Sequence, residues 1–121
     1  MTVTIYGIAN CDTMKKARAW LDAQGVACHF HDYRKSGVDE AALRLWAARL
    51  GWEALLNRAG TTFRKLPDAA KRDLDTGKAI ALMLANPSAI RRPVLVTDTD
   101  VVAGFDPARY AALLGGSTSL A

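Results

Sequence analysis

The chain has 121 residues, enough for one domain with its own hydrophobic core and no need of disulfide staples. Half of the residues are hydrophobic and 23% are charged, which excludes a disordered or fibrous polymer, and the apolar runs are too short to span a bilayer. Ten arginines and six lysines against twelve acids leave a formal net charge of +4. These cations are scattered, without a dense tract or interleaved aromatics, so direct nucleic-acid binding is not expected.

Val3 to Tyr6 reads as a buried strand, β-branched and aromatic with no charge. A helix is predicted from Thr13, with Met14, Ala17 and Leu21 on one side and Gly25 as its stop. Val26 to His31 supplies a second strand, and strand, helix, strand at this spacing is a right-handed βαβ unit with parallel strands. The period then changes. Asp39 to Leu50 carries Leu43, Trp46, Ala47 and Leu50 at helical spacing, ended by Gly51. Leu66-Pro67-Asp68 opens a short helix, and Gly77 to Ala85 carries another with Ile80, Met83 and Leu84 as its buried side. Residues from about 39 to 89 therefore form a helical insert that interrupts the sheet. Strand character returns at Arg92-Pro93-Val94-Leu95-Val96, and a turn over Thr97 to Asp100 leads to Val101-Val102-Ala103, an antiparallel hairpin. Asp106-Pro107 starts a last helix, which Gly115-Gly116 is expected to end, leaving Ser117 to Ala121 as a frayed tail. The sum is an α/β fold of one domain over residues 1–121: a four-stranded mixed sheet flanked by helices, with an all-helical insert between its βαβ and ββα halves.

Two cysteines, Cys11 and Cys28, are too few for a disulfide framework and form no C-x-x-C pair, so a reducing cytoplasm is the expected compartment. The N-terminus also lacks the basic and apolar regions of a secretion signal. Cys11 falls in the loop between the first strand and the first helix, at the carboxyl edge of the sheet where open α/β units bind ligands. A thiol at the mouth of a helix meets unpaired N–H groups and the positive end of the dipole, both of which favour thiolate. Lys15, one turn on, would add positive potential. Asn10 is read as a brace for this loop, and Thr13 or Asp12 as a helix cap. Cys28 alternates with Val26 and Phe30, so it is read as sheet-core packing. Met14 stands where a second redox thiol would be needed, so a cycle begun at Cys11 requires an external thiol to finish it.

Arg92 stands before Pro93 at the head of the third strand, where a cis bond is plausible and where its guanidinium would clamp an oxyanion or carboxylate. Neighbouring Arg91 is read as a surface cation. Arg58, Arg64 and Lys65 surround Gly60-Thr61-Thr62-Phe63, read as a loop able to meet an anion or as a capped helix start. His29 and His31 have no third ligand nearby, so no metal is expected.

The segments Y-G-I-A-N-C-D-T-M-K-K-A-R-A-W-L, F-H-D-Y-R-K, G-W-E-A-L-L-N-R-A-G-T-T-F-R-K-L and I-R-R-P-V-L, with a late G-F, closely resemble the arsenate-reductase-like (ArsC/Spx) family and, within it, the YffB-type subgroup. The resemblance runs from Val3 to about Leu114. It implies a thioredoxin-like fold with a helical insert and a nucleophile at Cys11. It further implies anion contacts from Arg92 and from Arg58 or Arg64, with glutathione and glutaredoxin completing the cycle and no bound cofactor. A third family arginine falls at Gly104-Phe105 and is absent; a histidine and a serine of the arsenate reductases fall at Ile8 and Met14. Each lost charge-assisted bond costs about 1.5 to 3 kcal/mol, which lowers the expected affinity for arsenate and leaves a glutathione mixed disulfide compatible with Cys11 and Arg92. The family's RNA polymerase-binding regulators are the alternative reading, although many of them use a C-x-x-C switch that Met14 removes here.

Overall fold

A computed structural model describes residues 3–9 and 11–119. In chain order its elements are β1 (Thr4–Gly7), α1 (Asp12–Ala23), β2 (His29–Asp32), α2 (Tyr33–Ser36), α3 (Glu40–Leu50), α4 (Trp52–Leu55), α5 (Thr61–Arg64), α6 (Asp68–Lys71), α7 (Thr76–Ala85), a 3₁₀ turn (Pro87–Ala89), β3 (Val94–Val96), β4 (Val101–Ala103) and α8 (Pro107–Ser119). They fall into two compact units, one made of Met1–Asp32 with Arg92–Ala121 and the other of Tyr33–Arg91.

The first unit is built on a mixed sheet of order β2-β1-β3-β4, with β1 parallel to β2 and antiparallel to β3, and β3 antiparallel to β4. The register lines up Phe30, Ile5, Leu95 and Val102 across all four strands, and because strand side chains alternate, all four lie on one face. Onto this row pack Met14, Ala17 and Leu21 of α1, spaced to share one helix side, and Tyr110 and Leu114 of α8. Each fully buried aliphatic or aromatic side chain in this cluster contributes roughly 1.5 to 3 kcal/mol of transfer free energy, so the sheet and both helices depend on one another. Tyr110 keeps its hydroxyl satisfied by donating to the Gly104 carbonyl (3.2 Å), and its ring meets Trp20 and Phe105 edge-on at 5.8 and 5.3 Å between centroids.

Two local features fix the chain beside β1 and β3. Gly7, where β1 ends, has room for no side chain, since a Cβ there would run into Met14, which is itself 1% exposed. The Arg92-Pro93 peptide is cis, and the Pro93 carbonyl accepts the N–H of Gly104 (2.7 Å), whose φ of +85° suits glycine. The β3–β4 turn is held by Thr97, whose Oγ1 accepts the N–H groups of Thr99 and Asp100 at 3.3 and 3.0 Å. At the start of α8, Asp106 Oδ1 accepts from the Ala108 N–H at 3.0 Å, the cap that the Asp-Pro pair signals.

Two boundaries differ from the sequence-based expectation. β2 begins at His29 rather than Val26, because the Val26 N–H turns back to the Leu21 carbonyl (3.0 Å) and closes the end of α1 instead of joining the ladder. α8 passes through Gly115-Gly116 and ends at Ser119, since glycine lowers helix propensity by only about 1 kcal/mol and does not by itself stop a helix. Of the two readings of Gly60 to Phe63, the structure takes the helix start: Thr61–Arg64 forms a helical turn with Gly60 at its N-cap, though without a side-chain cap bond.

The second unit is helical. Asp39 caps α3 by accepting from the Ala41 N–H (3.2 Å), Leu43, Trp46 and Ala47 turn inward, and Gly51 at φ +87° ends it. Asp75 likewise caps α7 through the Lys78 N–H at 2.8 Å, and the buried side of α7 is Ala79, Ile80 and Met83, with Leu84 only half-buried. The sequence-based reading had no strand here, yet Leu56 and Ile90 form an isolated antiparallel bridge. It is flanked by N–H donations from Asn57 to Ala89 (2.8 Å) and from Arg91 to Leu55 (2.7 Å), so the middle of the unit is tied to its C-terminal end by backbone bonds. Lys78 Nζ donates to the carbonyls of Ala69 and Arg72, satisfying backbone groups beside α6.

Candidate active site

Cys11 stands at the N-cap of α1 with extended backbone angles (φ −132°, ψ 126°), so its sulfur faces the first-turn N–H groups. It is half-buried against the edge of the core cluster, neither sealed nor free. Burial by itself raises the thiol pKa, and this is the largest single influence. It is outweighed by the sum of the others: the Met14 N–H, a hydrogen bond from the Arg92 side chain, the Thr13 N–H and the Arg92 charge, which together hold the thiol below its ordinary value. No side-chain cap bond closes at strict hydrogen-bond geometry, so the two N–H groups act on the sulfur as directed dipoles rather than as a formed N-cap bond. The result is a thiol-bearing loop with a cation beside it.

The two halves of this arrangement come from distant parts of the sequence. Cys11 ends the β1–α1 connection, and Arg92, half-buried, enters from the residue before β3, which pairs with β1. Pro93 is buried directly behind Arg92. Arg91 takes a different course: its Nε donates to the Ala54 carbonyl (3.0 Å) within the helical unit. Adjacent arginines thus belong to different units, one facing a thiol and one tying down a backbone carbonyl.

The remaining residues singled out by sequence divide in the same way. Thr13 is exposed, and its contribution to Cys11 is its backbone N–H rather than its hydroxyl. Met14 was legible only as a missing second thiol; the structure adds that its N–H faces the sulfur, a role that third-position geometry after an N-cap would have signalled. Lys15 is not among the groups that shift Cys11; it lines a groove containing Cys28 instead. The physical reason is helical: Lys15 lies on the side of α1 that also carries Arg18 and Asp22. Asn10 lies outside the described residues. Arg58 and Arg64 belong to the helical unit. The Arg58 guanidinium lies 5.5 Å from the centre of the Trp52 ring, and Arg64 is exposed at the end of α5, its carbonyl accepting from Lys71 Nζ at 3.1 Å.

Against known proteins, the model of the ArsC family matches residues 6–113, nearly the whole chain. This chain belongs to the ArsC family. Among solved structures, this ArsC family member is 58% identical to one named YFFB protein, with a TM-score of 0.92 over 93% of this chain and 99% of that one. It is 54% identical to an arsenate reductase (ArsC) related protein from Brucella melitensis, with a TM-score of 0.75 and 93% of each chain covered. It is also 30% identical over 114 residues to the global transcriptional regulator Spx of Streptococcus mutans, covering 93% of this chain and 82% of the relative. The four-stranded mixed sheet with flanking helices is the thioredoxin-like fold of such ArsC-type proteins. Among the described residues, no helix of this ArsC family member is long and apolar enough to cross a membrane.

Proposed function

We propose that this ArsC family member is a cytoplasmic, glutathione-dependent thiol reductase that works through the single nucleophile Cys11. The observation that carries this reading is a half-exposed thiol, lowered in pKa, at a helix mouth with Arg92 beside it. With a glutathione mixed disulfide as substrate, the Cys11 thiolate attacks the glutathione sulfur. The S–S bond breaks and its electron pair leaves with the substrate thiolate, so Cys11 is left joined to glutathione. A second glutathione thiolate then attacks that bond, restores the Cys11 thiolate and carries the oxidation away as glutathione disulfide. Arg92 holds the anionic part of the substrate and favours the thiolate form of Cys11 as nucleophile and as leaving group. With arsenate, Cys11 and glutathione together supply the two electrons that take arsenic(V) to arsenic(III), and a further glutathione or glutaredoxin reopens the resulting disulfide.

The test is incubation with glutathione disulfide followed by intact-mass measurement, together with an NADPH-coupled assay containing glutathione and glutaredoxin. The expected result is one glutathione added at Cys11, none in Cys11→Ser, and turnover of mixed disulfides ahead of arsenate. Absence of both modification and turnover would overturn the reading.

The likeness to Spx favours one alternative, a non-catalytic regulator that contacts RNA polymerase. It is distinguished by co-purification with polymerase subunits that Cys11→Ser leaves unchanged, in a protein that turns over neither substrate.

A further inference from the structure

On the sheet unit, but lined by a different set of residues from those that act on Cys11, a groove of about 530 Å³ lies beside α1 and the chain leading into β2. Its volume falls in the range of small-molecule sites. Half-buried Val26 and Phe30 supply apolar surface, over a floor closed by Ile5 and Leu21, each 1% exposed. Space is left because the neighbouring positions are small: Ala19, Ala27 and Cys28 stand where larger side chains would fill it. The polar part is equally ordered. Lys15, Arg18 and Asp22 follow at three- and four-residue spacing along one side of α1, so two cations and one acid border the apolar surface.

Arg18 is positioned by more than its place on the helix. Its guanidinium lies 4.5 Å from the centre of the Phe30 ring, a contact that holds the cation beside the groove. Its charge also reaches Cys28, whose thiol is nevertheless pushed up, chiefly by burial, and so stays protonated as part of the wall. Among the described residues, neither Lys15 nor Arg18 sits in an ion pair. An occupant must therefore bring one unit of negative charge to a border that carries a net charge of one positive, and an apolar body to the surface below it.

We infer that this groove binds a small amphipathic monoanion, a carboxylate carried on an apolar body of about the size of a phenyl ring or short alkyl chain. A carboxylate matches the fork of Arg18, and a dianion would meet Asp22 with excess charge. The inference goes beyond the reductase reading and does not depend on it, since it assigns no chemistry to Cys11.

The probes are phenylacetate and its neutral amide, added to the intact protein and followed by amide NMR spectra and by the alkylation rate of each cysteine. Phenylacetate is expected to give saturable shifts at Ala19, Ala27 and Cys28, to slow alkylation of Cys28 severalfold and to leave Cys11 alkylation unchanged. The amide is expected to bind about threefold or more weakly, the loss suited to one exposed charge pair, and Arg18→Gln to bring the acid down to the amide's affinity. Ala27→Leu, which fills the groove from an exposed position, should remove the shifts while the remaining spectrum is kept. Equal binding of acid and amide, shifts that do not saturate, or protection of Cys11 in place of Cys28 would each overturn the proposal. Failure of the glutathione experiment leaves these outcomes unaffected, so the two ideas fall separately.

Discussion

The two cysteines sit near opposite ends of the same helix, both half-buried against the same core cluster, and their thiols are driven in opposite directions. Burial raises both. At Cys11 it is overcome by two N–H groups and the Arg92 side chain; at Cys28 it prevails over one backbone hydrogen bond at Ile5 and the charge of Arg18. Burial alone therefore does not set the direction of the shift. What sets it is how much opposes burial: two N–H groups at the start of a helix together with Arg92 at Cys11, against a single backbone donor and the Arg18 charge at Cys28.

The largest expected effect is on reactivity. At neutral pH, Cys11→Ser should remove nearly all rapid alkylation by iodoacetamide and Cys28→Ser almost none, a ratio of about tenfold or more that peptide mapping reads directly. Comparable rates at the two sites would erase the contrast. Arg92→Gln should narrow it next, slowing Cys11 alkylation at neutral pH severalfold and moving its pH profile upward, with Cys28 unaffected. Fast, unshifted alkylation in that variant would assign the lowering to the helix end alone.

Stability offers two smaller tests. Gly7→Ala should destabilise the protein by about 1 to 3 kcal/mol in urea titrations, because the new methyl group displaces buried Met14 beneath the loop that carries Cys11. An unchanged midpoint would mean that the Met14 side chain moves aside freely. The smallest effect is on the pH dependence of unfolding. For Cys11, with its native pKa below the ordinary 9.0, the stabilisation is present above that value and is lost as pH falls through the native pKa. For Cys28, with its native pKa above 9.0, the stabilisation is present below that value and is lost as pH rises through the native pKa. Between pH 7 and the alkaline limb, Cys11→Ser and Cys28→Ser should therefore shift Tm in opposite senses relative to the parent, each by about 2 °C or less. Parallel pH profiles would contradict the opposed shifts.

Much of this was legible in the residues. The βαβ and ββα halves, the helical insert and the place of Cys11 follow from periodicity and punctuation, because apolar spacing states which face must be buried. The quoted motifs carried the family. Less legible were elements held by long-range bonds: the Leu56–Ile90 bridge closes across more than thirty residues, and the short turns at Tyr33–Ser36 and Trp52–Leu55 carry too few residues to show a period. The late start of β2 was hidden for a similar reason, since a single backbone donation to Leu21 decides it.

By itself the sequence determined the order of strands and helices and set a cysteine at the first turn of one of them, since these depend on near neighbours along the chain. Tertiary structure alone decided that Arg92, eighty-one residues away, shares that turn, because antiparallel pairing of β3 with β1 delivers it there. It decided equally that Lys15 borders the groove that Cys28 also lines and does not act on Cys11, a matter of where a helix side points once its other side is committed to the core. Local spacing fixes what a residue is placed to do; packing fixes which other residue it does it with.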